Sequence, residues 1–288
     1  MESNQGIYQE IRYQGIIEEL RRFSTLKALY ESETYRVSWQ ALFWLLGVPE
    51  PFILEGVQPR VQDFVRVVQW NIEKGRNFVG LVEAFSAHPV LRYADLIFLN
   101  EVDNGMARSG NLHVARELGA HLRMHAAFAP AHLELTKGLG DDLDAPGENE
   151  TALQGNALLS RYRLDQLRII ELPSYFEPFE FEEKRLGRRI ALVAEVSINQ
   201  KKLAAVCTHL EIRTTPRGRA RQMAVQQAQA VRSSPGTQVG LDRRALGEGA
   251  DGESDERFQI RHRQHQPAGR QGVELSRTED FRSRSHCR

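Results

Sequence analysis

Four polar residues stand at or beside the ends of apolar runs: Asn71 after "VVQW", Glu101 after "ADLIFLN", Asn156 ahead of "ALLS" and His209 after "KLAAVCT". Strands of α/β folds deliver polar groups at their carboxyl ends, where a site can form. An amide, a carboxylate and an imidazole gathered at one sheet rim suit the hydrolysis of a phosphate ester. Glu101 can bind a hard divalent cation through oxygen, as in Mg²⁺ sites that use few carboxylates and keep waters. Such a cation polarises phosphoryl oxygens and stabilises a leaving oxygen. His209 can offer a hydrogen bond or a proton to the phosphate, because imidazole titrates near neutral pH. Asn71 either orients Glu101 or meets the phosphate itself. Singly, each residue has a plainer reading: a turn amide, a solvated carboxylate, a structural Thr-His-Leu. What sets them apart is that four occur in order, each at a strand end.

The elements that must position them follow from pattern. Strands are expected at "FVRVVQW", "DLIFLNE", "HAAFAP", "NALLS", "LRIIELP", "RRIALVAEVSI" and "KLAAVCTHL". Helices are expected at "NFVGLVEAFSAHP", "NLHVARELGAHL" and "PRGRARQMAVQQAQAV", the last with Pro216 suited to a first turn. In the front section, Ile7, Ile11, Ile16, Ile17, Leu20, Phe23 and Leu26 are spaced for one amphipathic helix over about Ile7 to Ser32. A second helix, Val37 to Leu46, stops at Gly47 with Pro49 and Pro51 beyond. Its run "WQALFWLLGV" is too short to span a bilayer, which takes roughly twenty residues. A buried helix is the reading adopted, against a peripheral membrane contact through Phe43, Trp44 and Leu45. Strands outnumber helices in the middle, which favours a mixed α/β sandwich over a doubly wound sheet.

The chain has 288 residues, 41% of them hydrophobic, with 38 basic and 38 acidic side chains. That suffices for a sizeable core. A net charge of zero argues neither for nor against nucleic acid. Two cysteines, Cys207 and Cys287, lie in dissimilar contexts and do not suggest a disulfide framework; a reducing cytoplasm is the expected location. The first residues are polar and acidic, unlike a signal peptide. After Val231 the character changes to scattered charges, much Arg, no Lys and few apolar residues. Such composition cannot bury enough surface to offset ordering entropy, so disorder is expected from about residue 233.

The order W-N-I, N-E-V-D, G-N-A-x-L-S-R and T-H-L-E resembles the endonuclease/exonuclease/phosphatase superfamily, the deoxyribonuclease I-like fold, over roughly Phe64 to Val231. The stretches "GMARSGN", "EKRLGRRIAL" and "RGRARQM" look like a bacterial branch of it. The resemblance implies an α/β fold, a four-layer αββα sandwich, with a metal-dependent phosphoesterase site at one rim. By motif, Asn71 and Glu101 would be the metal residues, with Mg²⁺ or Mn²⁺ as cofactor, and His209 would stand at the phosphate. Asn156, Arg108 and Asn111 would contact substrate, whereas Arg221 and Gln222 would be structural.

The family pattern continues with a strand ending in Gly-Asp-x-Asn and a later Ser-Asp-His; neither occurs here. An Arg-rich, Lys-free tail after a well-patterned domain looks like translation in a shifted frame. The expected organisation is thus an N-terminal helical extension at 1–58, a C-terminally incomplete endonuclease/exonuclease/phosphatase domain at 59–232 and an aberrant tail at 233–288. The expected function is metal-dependent phosphoesterase, impaired in this chain. The alternatives are a catalytically inactive phosphate-binding or protein-interaction module on the same scaffold, and a binding protein whose front helices recruit a partner. The partner class is a phosphate ester, with nucleic acid among the candidates and no transmembrane segment.

Overall fold

Runs of Val, Ile, Leu and Ala without helical period become strands, four of which are buried on nearly every residue. The computed structural model of the chain describes residues 13–59, 64–180 and 183–232. In chain order the elements are α1 (Tyr13–Arg21), α2 (Leu26–Glu31), α3 (Glu33–Gly47), β1 (Glu50–Phe52), β2 (Val67–Lys74), α4 (Phe78–Ala87), β3 (Leu96–Asn104), α5 (Val114–Leu122), β4 (His125–Glu134), β5 (Leu153–Ser160), β6 (Asp165–Glu171), β7 (Arg185–Gly187), β8 (Ile190–Ile198), β9 (Lys201–Thr208) and α6 (Pro216–Arg232).

Two sheets form. The first runs β1-β4-β5-β3-β2, with β7 also pairing β4; the second runs β6-β8-β9. Among the described residues only β2 and β3 are parallel neighbours; the other pairs are antiparallel. Three apolar clusters then give four layers. Leu20, Leu29, Leu46, Phe85, Leu118 and Phe128 pack the front helices, α4 and α5 on the first sheet. Leu96, Phe98, Leu158, Leu192 and Cys207 fill the space between the sheets. Ile170, Val193 and Ala230 lie between the second sheet and α6. This is the αββα sandwich expected from the sequence.

The front section differs from expectation in three ways. The first helix breaks after Arg21 because Thr25 starts a new one, its side chain accepting from Ala28 N at 3.2 Å; side-chain oxygens at that position satisfy otherwise orphaned amides. Ser32 caps α3 in the same way, through Tyr35 N at 3.2 Å. Second, β1 was not anticipated; it is three residues long with Pro51 inside it, tolerable only on an edge strand. Third, α3 is buried on one face alone. Leu42, Leu45 and Leu46 are inside, whereas Trp39, Phe43 and Trp44 are exposed, so an amphipathic surface helix replaces the buried one.

Among the described residues no helix is long and apolar enough to cross a membrane. The segment expected to be disordered, 233–288, lies outside the described residues, as do the first twelve.

Candidate functional site

The site begins with irregular pairing at the carboxyl end of β3. In the β2–β3 ladder Asn71 pairs Asn100 and Lys74 pairs Val102, so Ile72 and Glu73 oppose Glu101 alone. In the β3–β5 ladder Leu99 pairs Ala157 and Val102 pairs Gly155, so Asn100 and Glu101 oppose Asn156 alone. Bulges of this kind bend a strand and re-aim its side chains. Glu101 adopts φ +53°, Glu73 +47° and Lys74 +70°, a region that side chains beyond glycine seldom occupy. As a result, consecutive residues of β3 both meet the second sheet: Asn100 reaches Thr208 and Glu101 reaches His209.

Asn71 Nδ2 donates to Glu101 Oε1 at 2.8 Å, and Asn71 Oδ1 accepts from Glu73 N at 3.0 Å. His209 Nε2 lies 3.8 Å from the same Glu101 oxygen. The Glu101 and His209 side chains are each about a quarter exposed, at 27% and 25%. Burial holds the His209 imidazole below its ordinary range; Arg189 and Arg185 push the same way, against the pull of Glu101.

Beneath them Asn100 ties four strands together. It accepts from Gln69 Nε2 on β2 at 3.0 Å and donates to Asn156 Oδ1 on β5 and to Thr208 O on β9, both at 3.0 Å. An unbonded amide at such depth costs roughly 1–3 kcal/mol, so this saturation is what makes a buried Asn tolerable. Asn156 in turn donates to Ile190 O at 3.2 Å.

Over this base opens a cleft of about 250 Å³, lined by Glu101, His209, Asn156, Gln154, Lys74, His132, Arg185 and Arg189 among others. The sequence-predicted residues Asn71, Glu101, Asn156 and His209 therefore converge. Arg108 and Asn111 do not join them. Arg108 is buried and bonds Asp103 at 2.8 and 3.0 Å, with Asp142 at 3.4 Å and Glu183 at 3.3 Å. Asn111 holds the loop through Glu148 O at 2.9 Å and Glu150 N at 3.3 Å. Both are structural, because their polar atoms are committed to the protein and neither lines the cleft. Gln222 is structural as expected, bonding Glu211 N and Pro173 O.

Sequence reading missed the cationic wall. Lys74, Arg185 and Arg189 look like solvated charges in sequence, and His132 like a lone core histidine. Their grouping depends on β7 lying against β4, a contact three residues long. Nearby, Glu134 is wholly buried with neither carboxyl oxygen hydrogen-bonded. Burial, then the neighbouring Glu183, pushes it up to about 8.

A cation at this rim would have Glu101 as its carboxylate. Oε1 is taken by Asn71, while Oε2 has no hydrogen-bond partner among the described residues. Asn71 bonds both Glu101 and the Glu73 amide, and its oxygen, which accepts a single hydrogen bond there, keeps a second lone pair. No group of three or more His, Cys, Asp or Glu side chains stands in a metal-holding arrangement among the described residues; a cation held by the one carboxylate would have to keep most of its waters.

No family model and no curated protein matches the chain. Solved structures do. An endonuclease/exonuclease/phosphatase from Beutenbergia cavernae is 18% identical, with TM-score 0.38, over 56% of this chain and 42% of its own. The human Nocturnin catalytic domain with bound sulfate is 20% identical, with TM-score 0.41, over 60% of this chain and 59% of its own. Truncated TDP2 of Caenorhabditis elegans is 17% identical, with TM-score 0.36, over 60% of this chain and 58% of its own. The chain thus spans between 42% and 59% of the length of these structures. The family that the sequence motifs resemble is the one that gives the Beutenbergia structure its name.

Proposed function

We propose that the cleft hydrolyses phosphate esters with a divalent cation, Mg²⁺ or Mn²⁺, held at Glu101. The observation that carries this reading is the approach of Asn71 and His209 to one carboxylate oxygen of Glu101, which leaves the other oxygen available at the cleft wall. A bound cation would supply Lewis-acid polarisation of the phosphoryl oxygens. Asn71 fixes the carboxylate rotamer through its own bond to the Glu73 amide. His209, kept neutral near pH 7 by burial and by Arg189, offers a hydrogen bond to a phosphate oxygen without a fixed charge. Asn156 retains one amide hydrogen beyond its bond to Ile190 O and is the proposed further substrate contact.

The rate is expected to be low. After His209 the sequence carries neither Gly-Asp-x-Asn nor Ser-Asp-His, the motifs that in the resembled family supply a base for the attacking water, and members of a catalytic unit do not act additively.

The test is hydrolysis of bis(p-nitrophenyl) phosphate with Mg²⁺ and with chelator. Slow, Mg²⁺-dependent turnover that falls by roughly 100-fold or more in Glu101→Gln supports the assignment. Turnover indifferent to Glu101→Gln moves the chemistry elsewhere. No turnover in either protein, with phosphate still bound, identifies an inactive phosphate-binding module.

A further inference from the structure

A second, smaller cavity adjoins the cleft and shares His132, Arg185 and Arg189 with it; Ser174, Phe176, Arg188 and the carboxylates Glu177 and Glu211 are among its other walls. The shared residues come from β4, β7 and the segment entering β8, whereas Glu101 lies in the second half of β3 and His209 directly follows β9. Two observations mark the shared wall as unfinished by the protein alone. His132 is more than nine-tenths buried, and its ring makes no hydrogen bond among the described residues. Arg185 Nε is buried with no hydrogen-bond partner.

The carboxylates nearby do not use up the donors. Glu183 takes Arg185 through Nη1 at 3.1 Å, and Glu211 takes Arg189 through Nη2 at 3.1 Å and Nε at 3.4 Å. Arg185 Nε and Nη2 and Arg189 Nη1 remain. Guanidinium forks held rigid by a carboxylate on one edge and open on the other match the oxygens of a phosphate. A sugar hydroxyl would answer single donors equally well, but not several convergent cationic ones.

We propose that Arg185, Arg189 and His132 form a second phosphate subsite, beside the one at Glu101 and His209, for a substrate that carries a non-scissile phosphate next to the ester it presents. The reading rests on phosphoester binding in the main cleft but needs neither the cation nor Glu101. The guanidiniums anchor the second phosphate, and the His132 ring caps it from β4.

The experiment uses the whole chain, in chelator, with adenosine 5′-monophosphate and adenosine 3′,5′-bisphosphate as calorimetric probes. The wild type is expected to bind the bisphosphate at least about tenfold more tightly. Arg185→Gln and Arg189→Gln should abolish that advantage, while Glu101→Gln should keep it. Arg189→Lys, which keeps charge but loses the fork, should retain part of it and guards against a folding defect, as does an unchanged thermal melt. A bisphosphate advantage that survives in both glutamine variants overturns the subsite, and so does its absence in the wild type. Failure of Glu101→Gln to lower hydrolysis, with the binding pattern intact, sinks the hydrolytic reading alone.

Discussion

Asn71 Nδ2 stands 2.8 Å from Glu101 Oε1, across parallel strands whose register places Asn71 beside Asn100. The amide is a strut, because its oxygen is fixed by the Glu73 backbone 3.0 Å away. Asn71→Ala should therefore leave folding nearly intact and lower Mg²⁺ affinity or turnover by roughly 10- to 100-fold, the usual effect of removing a partner that orients a ligand. Metal titration monitored by turnover measures it. Equal affinities in the two proteins would make Asn71 a turn residue only.

Arg108 and Asp103 form a pair whose side chains are 1% and 0% exposed. Removing one partner leaves a bare buried charge, so Arg108→Met should destabilise by about 3–5 kcal/mol. Asp103→Leu in that background should restore much of the loss. Urea unfolding of the two single variants and the double variant completes the cycle. A loss below about 1 kcal/mol for Arg108→Met would mean water reaches the pair.

Glu134 makes stability depend on pH with a definite sign. Its folded pKa, about 8, lies above the ordinary carboxylate value of 4.5. Between those values the folded state keeps a proton that the unfolded state has released, so unfolding free energy falls as pH rises through that window. Glu134→Gln should flatten this slope, making the variant the more stable protein at about pH 8 and nearly equal to the wild type at about pH 5. Parallel slopes in urea melts would show that Glu134 finds a partner or solvent.

Asn100 joins Gln69, Asn156 and Thr208, on three different strands. Asn100→Ala leaves those partners unsatisfied and should destabilise by roughly 1–3 kcal/mol. It should also loosen Glu101, the next residue, so turnover should drop as well. Loss of stability without loss of Glu101-dependent turnover would separate the tie from the site.

Much of this was legible in the sequence because the strands announce themselves. "LIFLNEVDN" and "HAAFAPAHLE" are buried nearly end to end, and continuous apolar runs of that kind fit few other roles. Asn71, Glu101, Asn156 and His209 stand out in the sequence because each is a polar residue at or beside an apolar run. The surroundings of Arg108 are not legible in sequence, because a motif fixes neighbours along the chain while this side chain meets Asp142 and Glu183, 34 and 75 residues away. Arg185, Arg189 and His132 were missed for the same reason. β1 and β7 are three residues each, too short for any periodic signal, and β7 carries Arg185 of the cationic wall.

The backbone at Glu101 has one more implication. At φ +53° a glycine would sit more comfortably than any residue with a Cβ, by about 1 kcal/mol or more. Drift toward stability would therefore favour discarding the carboxylate. Glu101→Gly should fold more securely than the native chain while losing whatever the carboxylate does. If Glu101 holds the cation as proposed, backbone comfort and the proposed chemistry point in opposite directions at this position.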